Sequence, residues 1–142
     1  MSIQPYLFFE GRADEAIAFY GKALGAEVTM RMTYGESPQG DSECPGGMKL
    51  PADKVMHAGL RIGGTELGLS DGMCSGKPDF KGFSMTLVCD DDADAKRRFE
   101  ALADGGKVDM PLAESFFASS FGMLVDRFGV GWMVMVPKAP GG

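Results

Sequence analysis

The chain holds a single histidine, His57, within Val55-Met56-His57-Ala58-Gly59-Leu60-Arg61-Ile62. Side chains of an extended segment alternate, so with Met56, Ala58, Leu60 and Ile62 on one side, His57, Gly59 and Arg61 share the other. Imidazole is the side chain most readily poised to pass a proton near neutral pH. A guanidinium further along the same face can fork onto a ligand carboxylate or phosphate. Plainer roles exist for both: His57 donating to a nearby carbonyl or to Glu114 and lining a wall, Arg61 neutralising an acid. Wall lining, ligand contact and proton transfer all stay open for His57, the one candidate for acid and base catalysis.

Other chemistries lack their residues. A serine triad needs a histidine and a nucleophile elbow, and no G-x-S-x-G is present. Cys44, Cys74 and Cys89 are odd in number and none sits in a C-x-x-C frame, which fits a reducing compartment and argues against a structural zinc site. Cys44 and Cys74 fall in expected loops with no histidine or basic helix end nearby to activate a thiolate. A formal net charge of −6 disfavours nucleic acid and anionic membranes as partners. Lys96-Arg97-Arg98 follows the acidic run Asp90-Asp91-Asp92 and reads as a solvated helical face. Met1-Ser2-Ile3-Gln4-Pro5 has no basic segment leading into a long apolar run, and no stretch reaches membrane-spanning length, so a cytoplasmic protein is expected.

The elements that must position these residues follow from pattern. With 44 % hydrophobic and 24 % charged residues among 142, the balance is that of one globular domain with a core of its own. Ile3 to Glu10 reads as a buried strand, and Asp14-Glu15 open a helix that runs through Leu24 to a stop at Gly25. Ala16, Phe19, Tyr20 and Ala23 give that helix one apolar face. Glu27 to Tyr34 alternates as a half-buried strand, with Val28, Met30 and Met32 on one side and Thr29, Arg31 and Thr33 on the other. Gly35 to Asp53 is too rich in breakers for regular structure. Val55 to Ile62 and Thr65 to Leu69 flank Gly63-Gly64, a two-residue hairpin signal. After a linker from Gly72 to Gly82 the pattern returns: strand Phe83 to Cys89, helix Ala93 to Ala103, strand Lys107 to Pro111, then strands Phe121 to Val125 and Trp132 to Val136 around Asp126-Arg127-Phe128-Gly129.

The return is visible in the residues themselves. Eighty positions separate Phe19 from Phe99, Gly25 from Gly105, Val28 from Val108 and Met30 from Met110, and the same offset joins Leu7 to Leu87. A repeat of this length is a supersecondary unit, here βαβββ. The first module is assigned to residues 1–71 and the second to 82–137 of one domain, 1–142. Each module buries its helix on one sheet face and leaves the other free, and the two free faces are expected to cup a shared cavity.

Ile3-Gln4-Pro5-Tyr6-Leu7-Phe8-Phe9-Glu10-Gly11, Ala18-Phe19-Tyr20 through Leu24-Gly25-Ala26, Lys54-Val55-Met56-His57-Ala58, Gly82-Phe83-Ser84 and Phe121-Gly122-Met123-Leu124 through Asp126-Arg127-Phe128-Gly129-Val130 resemble the PhnB-like group of the vicinal oxygen chelate superfamily. That superfamily includes glyoxalases, extradiol dioxygenases, fosfomycin-resistance enzymes and bleomycin-binding proteins. The resemblance implies an α+β fold of two paired βαβββ modules forming a cupped mixed sheet, helices on the outer face, and a homodimer. Some PhnB-like chains are labelled 3-demethylubiquinone-9 3-methyltransferase, yet no G-x-G-x-G follows a strand here to seat S-adenosylmethionine.

Metal-using members of the superfamily place a His, Gln or Glu on the first and last strands of each module. Those positions fall by register at Gln4, Gly68, Ser84 and Met133, and a slip of one or two residues would bring in Glu66. Hard cations need anionic oxygens and borderline ones want imidazole or thiolate, so no metal and no other cofactor is expected. What remains for a small organic molecule with an anionic end is Gln4, Tyr6, Phe8, Arg61, Ser84, Thr86, Glu114 and Phe117 as ligand contacts, and His57 as the catalytic candidate. Phe116 and Phe121 add apolar area, and Trp132 is expected in the core. The expectation is a metal-free small-molecule binding protein. The alternative is a lyase, isomerase or oxygenase of the superfamily working through His57 or a non-standard metal site.

Overall fold

The computed structural model describes residues 1–36, 51–72 and 78–138. Cys44, Cys74 and most of the breaker-rich loop lie outside the described residues. In order come β1 (Tyr6–Phe8), α1 (Ala13–Leu24), β2 (Glu27–Thr33), a short 3-10 turn (Tyr34–Glu36), β3 (Val55–Ile62), β4 (Thr65–Ser70), β5 (Met85–Val88), α2 (Asp92–Ala103), β6 (Lys107–Ala113), β7 (Ala118–Val125) and β8 (Gly131–Pro137). The chain divides into two compact units, Met1–Pro78 and Asp79–Gly142. Each holds one helix and a mixed four-stranded sheet, in the orders β1-β4-β3-β2 and β5-β8-β7-β6. This is the paired βαβββ arrangement that the repeat implies.

In the first unit Ala16, Tyr20, Ala23 and Leu24 of α1 are buried with Leu7, Ala58, Leu60 and Leu69 of the sheet. Gly25 ends α1 at φ 68, in the left-handed region that glycine enters without strain. In the second unit Ala95, Phe99 and Leu102 of α2 are buried with Leu124, Trp132 and Val134, and Asp91 caps the helix by accepting from Asp94 N–H at 2.7 Å. Gly63-Gly64 makes the two-residue turn between Ile62 and Thr65 as expected.

Two differences from the sequence reading matter. The first strand is shorter than Ile3 to Glu10: Ile3 is 95 % exposed, and β1 begins only after Pro5, whose nitrogen has no hydrogen to donate. The side-to-side assignment along β2 also changes. Val28 pairs with Leu60, but Met30 pairs with Gly59, so Thr29 is an extra residue in a bulge. A bulge moves the following residues to the opposite face. Met30 and Met32 therefore join Gly59 and His57, while Arg31 turns to the helix side and forks onto Asp14 of α1 at 2.8 and 2.9 Å. The same irregularity recurs between Val108 and Met110 in β6, so the eighty-residue repeat extends to its defect. Both bulged strands are sheet edges and mostly exposed.

Candidate functional site

The face of the first sheet that turns away from α1 carries the candidate residues. Register places Tyr6 beside Gly68, Gly68 beside Gly59, and Gly59 beside Met30, one row across four strands. Phe8 pairs with Ser70, and Met32 with His57, in the next row. The two central glycines make room. A Cβ on Gly68 would come within 2.5 Å of Tyr6 Cδ2, and one on Gly59 within 2.5 Å of Thr29 Oγ1. The Tyr6 ring thus lies over Gly68, and from there its hydroxyl reaches His57 Nδ1 at 2.9 Å. The two rings are nearly parallel, 16° apart with centroids at 5.5 Å, and Phe8 stands 5.1 Å from Tyr6. Tyr6 and Met30 remain 40 and 42 % exposed.

Each unit has a buried carboxylate, not among the candidates read from the sequence, that ties its backbone together. Asp71, at the end of β4, accepts from Ala13 N–H at the start of α1 and from Val55 N–H at the start of β3, both at 2.7 Å. Burial, then the negative field of Asp71, pushes the Tyr34 phenol above its ordinary value, so Tyr34 stays protonated. In the second unit Asp126 accepts from Phe128 N–H, Val130 N–H and Trp132 Nε1–H at 2.9 to 3.1 Å. Trp132 is in the core as expected, with Asp126 satisfying its one polar atom.

The structure joins some of the expected residues and separates others. Tyr6, Phe8 and His57 come together. Arg61 lies on the same face but pairs with Glu27 at 3.0 Å, both side chains exposed, and four extended residues put it roughly 13 Å from His57. Gln4 is exposed ahead of β1. In the second unit Thr86 is exposed beside Met133, and Ser84 is half-buried just before β5. Glu114 faces Lys138 at 3.9 Å. Phe117 packs edge-on between Phe116 and Phe121, with centroids 5.1 Å from each. Met110, Met123 and Met133 form one row across β6, β7 and β8. On the helix side of that sheet an open groove of about 550 Å³ runs between α2 and β6, lined by Asp92, Lys96, Glu100, Val108, Leu112 and Ser120. No motif or periodicity in the sequence marks it.

The donors for the superfamily's metal do not fit. At position 68 the Tyr6 ring occupies the space a ligating side chain would need, and Met133 offers only a thioether in a row of apolar neighbours. Glu66 stands beside Arg61. Among the described residues no three of His, Cys, Asp or Glu gather around one point. S-adenosylmethionine fits no better: the first turn of α1, where a strand-to-helix cofactor site would receive an anionic end, already has the Asp71 carboxylate on Ala13 N–H. Burial, the largest influence, pushes the Cys89 thiol up, away from its thiolate form. No helix of the described residues is long and apolar enough to cross a membrane.

Comparison with known proteins points one way. The family described as 3-demethylubiquinone-9 3-methyltransferase matches residues 1–135. Protein YjdN of Escherichia coli K12 is 40 % identical over 97 % of either chain. The crystal structure of PA1353 from Pseudomonas aeruginosa is 40 % identical with a TM-score of 0.80, covering 98 % of this chain and 99 % of that one. The PhnB protein from Bacillus cereus is 28 % identical with a TM-score of 0.77, covering 96 % and 99 %. At the level of fold alone, a glyoxylase/bleomycin resistance protein/dioxygenase domain from Frankia sp. EAN1pec matches 96 % of this chain and 94 % of its own at a TM-score of 0.62 and 15 % identity.

Proposed function

From a chain that belongs to the 3-demethylubiquinone-9 3-methyltransferase family, the PhnB-like branch of the vicinal oxygen chelate superfamily, we propose a small-molecule binding protein that acts without a metal and as a homodimer. Its ligand is a partly apolar organic molecule seated on the open face of the first sheet. One observation supports this above others: Tyr6, Phe8 and Met30 leave apolar surface accessible around an internally paired polar group, Tyr6 with His57. Exposed apolar surface with few, fixed polar groups is the usual make-up of a ligand site. Arg61 already has a carboxylate partner in Glu27, so an anionic end on the ligand is a secondary feature of this reading.

Metal analysis of protein purified without chelator, together with a thermal-shift screen of small aromatic compounds, tests it. Sub-stoichiometric metal and a saturable rise in melting temperature with an aromatic compound are expected. Stoichiometric zinc, nickel, iron or manganese would favour an enzyme of the superfamily instead. Sedimentation at micromolar concentration tests the dimer, and a monomer would remove that part.

A further inference from the structure

We propose that Tyr6 and His57 act as one recognition unit that selects a flat ligand bearing a hydrogen-bond-accepting oxygen. The inference rests on the reading of this face as a ligand site and names what that site prefers. A phenol is a stronger acid than a neutral imidazole, and the bare imidazole nitrogen is the stronger base, so across the 2.9 Å contact Tyr6 O–H donates and His57 Nδ1 accepts. The imidazole proton then resides on Nε2. Among the described residues none accepts a hydrogen bond from Nε2, and the ring is half-buried. The near-parallel packing against Tyr6 fixes the plane in which that N–H points.

Nearest to the pair the surroundings are flat or apolar, with Phe8 beside Tyr6 and Met32 beside His57, while the Ser70 hydroxyl is turned to Gly72 O and that of Thr29 lies over Gly59. An aromatic ligand can pack on them while its carbonyl oxygen receives the Nε2 proton. A ligand offering only a donor finds no bare nitrogen, because Tyr6 has taken Nδ1, and is left with the Tyr6 phenol oxygen, a weaker acceptor than imidazole nitrogen. Tyr6 thereby sets specificity through His57, and on this view it is a positioning residue.

His57 is the only histidine, so a long-range 1H–15N spectrum contains one imidazole and needs no assignment. At mildly alkaline pH it should show Nδ1 bare and Nε2 protonated, and Tyr6→Phe should move it toward a mixture of tautomers. The probes are 2-acetylnaphthalene and 2-ethylnaphthalene, alike in shape except for the carbonyl oxygen. The ketone should bind about three- to tenfold more tightly, the factor of one neutral hydrogen bond, and should alone shift the Nε2 resonance. Tyr6→Phe, checked for an unchanged backbone amide spectrum, should shrink that preference. A proton found on Nδ1 in the free protein overturns the proposal. Equal affinity for both probes with Nε2 unmoved overturns it too, while leaving ligand binding intact. Failure of both probes to bind counts against the binding reading, and the proposal falls with it.

Discussion

Replacing Asp71 by asparagine probes what holds the candidate site in shape. The side chain is 1 % exposed, and its two oxygens accept from Ala13 and Val55 N–H at 2.7 Å each. The amide keeps one oxygen and turns an N–H₂ toward the other backbone donor. One hydrogen bond to a charged acceptor, about 1.5 to 3 kcal/mol, is lost, and a buried N–H is left facing a donor at a cost of about 1 to 3 kcal/mol. The two figures describe overlapping parts of one change, so the expected loss is about 2 to 4 kcal/mol. For a chain of this size each kcal/mol corresponds to about 2 to 4 °C, and calorimetry should show melting lowered by roughly 4 to 16 °C at neutral pH. Val55 opens β3 two residues before His57, so amide exchange should quicken first at the starts of β3 and α1. Residues of the second unit should exchange as before. A melting temperature within about 1 °C of the parent's would refute the assignment of Asp71 as the clasp between α1 and β3.

Further outcomes follow from individual contacts. Gly68→Ala should push the Tyr6 ring off the strand and break its hydrogen bond to His57, costing about 1 kcal/mol because the displaced ring is partly exposed and can give way; an unchanged His57 imidazole spectrum would contradict it. The Arg31 guanidinium bound to Asp14 holds that carboxyl below its ordinary value of 3.8. The folded-state value is the depressed one, so the pair's contribution is present above about pH 3.8 and fades as pH falls through the folded value. Arg31→Gln should therefore raise the Asp14 midpoint seen by carboxyl 13C NMR, and no movement would speak against the pairing. Asp92 is likewise held low by the hydroxyls of Ser119, then Ser120, at 2.7 and 2.6 Å. Ser119→Ala should raise its midpoint in the same experiment. Trp132→Phe removes the indole donor from buried Asp126 and should lower thermal stability without altering the first unit's amide exchange.

The fold was legible because it is repetitive and its punctuation is strong: Gly25, Gly63-Gly64 and the acids opening each helix bound elements that the structure reproduces within a few residues. The bulges at Thr29 and Asp109 were not, since Val28 to Met32 alternates as smoothly with an extra residue as without one. The face assigned to His57 was legible from its own strand. Its partner was not, because Tyr6 is 51 residues away and reaches His57 only once β1 pairs in parallel with β4 and a glycine stands at position 68. Asp126 did leave a signal, an aspartate bonding the N–H two residues on in a turn. Asp71 looked like any acid ending a strand, and only the chain's return path shows that it meets two backbone donors at once.

The proposed ligand seat is the open face of the first sheet. Backbone amide shifts recorded during titration with 2-acetylnaphthalene test it most directly. Saturable shifts at Phe8, Met30, His57 and Ser70, with Ala16, Tyr20 and Lys96 unmoved, are the predicted result. Shifts centred on α1, or on the groove between α2 and β6, would contradict it.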